Sequence, residues 1–154
     1  MTTRCIFIRH AKPQSDHMGD DFNKPLSDEG RDNLETLNKI FAEKEIETKL
    51  VFTSPLLRAV QTAEILAKEA PVIKEPALGA LFDDDAILSL IQEHAGSTLF
   101  FVGHAPTLSE FTEKLVGENV LPQGLSKACA ASVTFEGKIA YGQGSFKGVT
   151  NPFV

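Results

Sequence analysis

The chain has 154 residues, 42% of them hydrophobic and 23% charged, a balance that suits a globular protein and excludes a disordered one. A formal charge of −6 argues against a nucleic-acid partner, which would need a basic stripe. The two cysteines, Cys5 and Cys129, are too few for a disulfide framework, and no stretch approaches the roughly 20 apolar residues of a membrane span. One domain covering residues 1–154 is expected, with a cytoplasmic location and no signal peptide, because "CIFI" is too short for the apolar segment of one.

In chain order, the apolar run Cys5–Ile8 predicts a strand over about residues 4–9, buried on both faces and ending in the charged pair Arg9-His10. A loop rich in Asp, Gly and Asn follows through Pro25; it is either an ordinary solvated loop or a contact for a protein partner. A helix is expected from about 28 to 44, with Ser27 as its N-cap and Leu34, Leu37, Ile40 and Phe41 on one face. "KLVFTS" reads as a second strand, and "PLLRAVQTAEILAKEA" as a helix with Pro55 at its first position.

A short strand near Val72 precedes an irregular stretch through "EPALGALF". Asp83–Asp85 then open a helix that turns Ile87, Leu88 and Ile91 inward. "STLFFVG" is another buried strand and "PTLSEFTEKLV" another helix. "CAASVTFEGKIAYGQG" reads as a hairpin turning at Glu136-Gly137, and "GVTNPFV" as a packed tail. Strands alternating with helices predict an α/β three-layer sandwich whose central sheet is largely parallel and flanked by helices.

Ligands of open α/β sheets bind beyond the carboxyl ends of the strands. Three such ends carry chemically capable side chains: Arg9-His10, the "TSPLLR" segment that brings in Arg58, and the "FFVGHAPT" segment that brings in His104. Each taken alone has an ordinary explanation, a surface charge or a loop histidine. Together, two arginines and two histidines would repel one another unless an anion sat among them. Phosphate fits: guanidinium forks bind its oxygens in pairs, and helix N-termini add N–H donors. No HxH or HExxH spacing joins His10, His104 and the Asp83–Asp85 run, so no metal site is expected.

The blocks "IRHA", "KPLSDEGR", "SPLLRAVQTAEIL" and "VGHAPTL" resemble, in order, the signatures of the histidine phosphatase superfamily, whose fold is phosphoglycerate-mutase-like. The short chain, without a large insertion before the third block, is similar to the SixA-type phosphohistidine phosphatases. The resemblance implies His10 as nucleophile, with Arg9, Arg58 and His104 holding the phosphoryl group, and no metal or cofactor. The backbone N–H of Ala105 is a further candidate donor. Ala11 stands where many members have glycine. Ala80 stands where many carry a glutamate general acid, and Asp83 or Asp84 is the nearest replacement. A poor leaving group needs that proton, whereas an imidazole leaves readily as a base of pKa near 6.5.

The substrate expected is therefore phosphohistidine on a signalling or carrier protein. The alternatives are a small phosphorylated metabolite cleaved as a phosphomonoester, and a non-catalytic module that binds phosphate to regulate a partner.

Overall fold

The computed structural model describes residues 1–153; Val154, the end of the expected tail, lies outside them. Its elements are β1 (Thr2–Arg9), α1 (Asp28–Glu43), β2 (Leu50–Thr53), α2 (Leu57–Ala67), β3 (Val72–Lys74), α3 (Asp84–Glu93), β4 (Thr98–Gly103), α4 (Thr107–Val116), β5 (Ala130–Glu136) and β6 (Ser145–Thr150), with a 3-10 turn at Pro76–Leu78 between β3 and α3. The six strands form one sheet in the order β3-β2-β4-β1-β5-β6. The first four are parallel; β5 runs antiparallel to β1, and β6 to β5. This is the α/β class and the largely parallel sheet expected.

Strand alternation explains the layers. Ile6 and Ile8 join Leu34, Leu37, Ala59, Ala63 and Leu66 of α1 and α2 in one core. Cys5 and Phe7, on the opposite face, join Ile87, Ile91, Leu108, Phe111 and Leu115 of α3 and α4 in the other. Both cysteines are buried and unpaired. No helix among the described residues is long and apolar enough to cross a membrane.

Helix starts follow the local chemistry. Ser27 caps α1 by accepting from Gly30 N, and the same hydroxyl donates to the Lys12 carbonyl at 2.8 Å. Gly30 has to be glycine: a Cβ there would lie 2.4 Å from that carbonyl. Ile40, expected on the buried face of α1, is only half-buried, and so is Leu88 in α3.

Two expectations need correction. Pro55 does not occupy the first position of α2; the helix begins at Leu57, with Leu56 as N-cap. The terminal hairpin does not turn tightly at Glu136-Gly137. Residues 137–144 leave the sheet, and the partner strand is "SFKGVT". The cause lies at the end of α4. Gly142 N and Gly144 N donate to the carbonyls of Lys114 and Leu115, which the helix leaves unpaired, and Ile139 is buried in the α3/α4 core. Satisfying those groups outweighs continuing the ladder.

Candidate active site

Because β2, β4 and β1 are neighbours and parallel, their carboxyl ends lie side by side. There a cavity of about 400 Å³ is lined by Arg9, His10, Arg58 and His104, together with Leu56, Gly79, Ala80, Ala105 and Thr107. The four side chains singled out in the sequence converge, and Ala105 stands with them at the mouth of α4. Leu56 and Arg58 place the start of α2 on the same cavity.

His10 is held from all sides. Its backbone N–H donates to Gly103 O, and its carbonyl and that of Arg9 both accept from Ala128 N. The residue is 6% exposed, and its ring Nδ1–H donates to Ala11 O at 2.8 Å. A carbonyl can only accept, so this bond fixes the tautomer and leaves a lone pair on Nε2. Burial pushes the His10 pKa down to about 4, opposed by the Ala11 bond and helped by the adjacent His104 ring, beside which a second imidazolium would be costly, and by the Arg58 and Arg9 guanidinium groups. His104, whose ring centre lies 5.1 Å from that of His10, is also pushed down to about 4 by burial and then by Arg58 and Arg9, with Asp21 opposing. Both rings are therefore neutral near pH 7.

Arg9 reaches back toward the loop before β5. Its Nη1 donates to Leu125 O at 3.1 Å, while its Nε is buried without a protein partner. Burial also lowers its pKa. Arg58 donates through Nη1 to Asp21 O at 3.0 Å and pairs with the Asp21 carboxylate at 3.3 Å. Thr62, fully buried in α2, ties the segment after β1 to the first turn of that helix: it accepts from Ala11 N and donates to Arg58 O. The cavity thus offers a tetrahedral anion two guanidinium groups, two neutral imidazoles and two helix starts.

Asp83 and Asp84 are not brought to the cavity. Asp83 caps α3 by accepting from Ala86 N at 3.1 Å, and Asp84 pairs with Lys114. These local roles, a cap and an ion pair on α4, hold both carboxylates away from the site. Ala80 does line it, with only a methyl group. Lys12 is engaged with Glu29 at 2.6 Å, and Lys24 lies 3.9 Å from Asp21. Among the described residues no three His, Cys, Asp or Glu side chains cluster as a metal site.

Sequence reasoning missed Asp21 and Ser54. Asp21 sits in an irregular loop, where no periodicity marks a residue. Ser54 follows β2 directly and bonds His104 Nε2 at 2.8 Å. Its place at the end of a strand that pairs with β4 and runs into the site was the available signal.

A protonated His10 has no lone pair to offer. With a pKa near 4, the acid limb of kcat/KM for any reaction begun by His10 is expected near pH 4, not near the 6.5 of a free imidazole. Stability follows the same groups. Between about pH 6.5 and 4 the unfolded chain takes up protons that folded His10 and His104 refuse. Their stabilising contribution is therefore complete above pH 6.5 and is lost as the pH falls toward 4. Melting temperatures across that window check it: a Tm that does not fall with pH there would contradict the assignment.

Comparison with known proteins bears on the family and the fold. A family model described as "Histidine phosphatase superfamily (branch 1)" matches residues 5–80. An uncharacterized protein of a Picosynechococcus strain is 35% identical over 122 residues, 71% of this chain and 70% of that one. The structure of the protein histidine phosphatase SixA complexed with tungstate superposes with a TM-score of 0.85 at 23% identity, covering 97% of each chain. Phosphoserine phosphatase from Entamoeba histolytica, in complex with 3-phosphoglyceric acid, superposes with a TM-score of 0.75 at 13% identity, covering 97% of each chain. At these identities the superpositions establish a shared fold.

Proposed function

Because this chain belongs to the histidine phosphatase superfamily, we propose that it is a metal-independent phosphohistidine phosphatase acting on a phosphorylated protein. His10 Nε2 attacks phosphorus in line. The P–N bond of the substrate breaks, and its electron pair goes to the substrate imidazole, which takes a proton from solvent. Water then attacks the phosphorylated His10, releasing phosphate and restoring the lone pair. Arg9, Arg58, His104 and the Ala105 N–H hold the equatorial oxygens, where charge accumulates.

The observation that carries the substrate class is the cavity wall. No residue lining it bears a carboxyl group, and Ala80 occupies the segment where an acid would be useful. An alkoxide leaving group needs a proton donor worth about 10²–10⁴ in rate, and an imidazole does not. The cavity volume is also compatible with a small phosphorylated metabolite, which keeps the phosphomonoesterase reading as the second choice.

The test is phosphate release in the presence of EDTA from a phosphohistidine-bearing protein and from a panel of phosphomonoesters, phosphoserine among them. A preference of about 100-fold for phosphohistidine is expected. Ala80→Glu is expected to raise ester turnover selectively by restoring an acid. Equal rates on both bonds would leave the phosphomonoesterase reading, and tight phosphate binding without turnover would leave the binding module.

A further inference from the structure

We infer that Ser54 is a positioning residue that fixes His104 in its Nδ1–H tautomer, so that an uncharged His104 presents a proton to the phosphoryl group. The donor role rests on the phosphatase reading above; the tautomer does not.

The assignment follows from counting protons. Ser54 is fully buried, and its backbone N–H is tied to Val102 O, so the hydroxyl is carried on the frame of the sheet. Its Oγ has two neighbours within hydrogen-bonding distance. Leu56 N–H, 3.3 Å away, can only donate and occupies a lone pair. His104 Nε2, 2.8 Å away, is the one acceptor among the described residues for the hydroxyl proton. Were Nε2 protonated, both neighbours would donate to the same oxygen and the buried hydroxyl proton would have no acceptor. The hydroxyl therefore donates to Nε2, and the ring proton of neutral His104 resides on Nδ1. That nitrogen has no hydrogen-bond partner among the described residues, and it is not among the side-chain atoms buried without one. Since His104 lines the cavity, its Nδ1–H is free to meet a ligand there.

His10 makes an instructive contrast. Its Nδ1–H is spent on Ala11 O, and its Nε2 lone pair is free. Two neutral imidazoles in one cavity are thus anchored through opposite nitrogens. One offers a lone pair and the other a proton. Neither needs the charge that two adjacent guanidinium groups oppose.

The test is long-range ¹H–¹⁵N NMR of the full chain labelled with ¹⁵N-histidine, at neutral pH and without substrate. The expected result is a His104 protonated at Nδ1, whose signal moves when inorganic phosphate is added. In Ser54→Ala the ring is expected to become a tautomer mixture, with kcat lowered about ten- to a hundredfold and KM changed less. Ser54→Thr, which keeps the hydroxyl, is expected to restore both tautomer and rate. A wild-type His104 protonated at Nε2 overturns the inference and leaves the phosphatase reading standing. So does a tautomer that Ser54→Ala leaves unchanged, whatever the rate does. A Ser54-dependent Nδ1–H in a chain that releases no phosphate upholds the Ser54–His104 link and sinks the phosphatase reading instead.

Discussion

His10→Asn is expected to lower kcat by about 10⁴–10⁶-fold while leaving the fold in place, the range seen when a nucleophile is removed from an otherwise intact site. The loss should be this large because no other group in the cavity can take over. His104 has its free nitrogen protonated, and Thr107, the only hydroxyl among the lining side chains, has no base beside it. An asparagine amide can still donate to the Ala11 carbonyl that now receives the His10 Nδ1–H, so the local structure has a reason to persist. Rapid quench with a ³²P-labelled phosphohistidine protein supplies the second readout. Wild type should retain an acid-labile, alkali-stable label, as expected of a phosphorylated imidazole, and the variant should retain none. A variant with substantial turnover, or a label on another residue, would contradict the proposed nucleophile.

The second large effect concerns Arg58. Arg58→Ala is expected to cost about 10²–10³ in kcat/KM, the usual scale for losing one preorganised donor to developing charge. Part of that cost has an unusual origin. With the guanidinium gone, the Asp21 carboxylate keeps only the more distant Lys24 and repels an incoming phosphate. The double variant Arg58→Ala/Asp21→Asn should therefore recover about two- to fivefold, a modest amount because the Asp21 side chain is 70% exposed and screened by water. That recovery should fade as salt is raised. A double variant no better than the single one would mean that Asp21 does not reach the phosphate.

Most of the frame was legible in the sequence, for a physical reason. A strand buried on both faces is a run of apolar residues, so a charged pair such as Arg9-His10 at its end is conspicuous. The "TSPLLR" and "VGHAPT" segments stand out in the same way. Parallel strands then bring equivalent ends together without any knowledge of side-chain contacts. The parts that were not legible depend on contacts between distant residues. Ser54 and Asp21 act through hydrogen bonds to His104 and Arg58, 50 and 37 positions away, and neither leaves a periodic trace. Asp84 looked available because its partner, Lys114, lies 30 positions away and is brought to it by the packing of α4 beside α3, whereas Asp83 is held by the local cap on Ala86 N. The end of the chain was misread because the Gly142 and Gly144 amides answer carbonyls at the end of a helix far back in sequence.

The site is fastened to two parts of the molecule that should differ in how readily they open. Arg9 and His10 close β1, which is paired along its length with β4 and β5 in the middle of the sheet. Amides of that kind exchange with solvent mainly when the whole domain unfolds. The segment that carries Asp21 is attached more lightly, through Phe22 O to Leu57 N, through Leu26 N to Gln61 Oε1, and through the Arg58 pair itself. Exchange there should proceed by local excursions that never disturb the sheet. Mild denaturant would then release the tether on Arg58 while the nucleophile stays in place, and activity would decline before any signature of the fold does. Such a loss should reverse on dilution at the speed of a loop closing, without waiting for the strands to find their partners again.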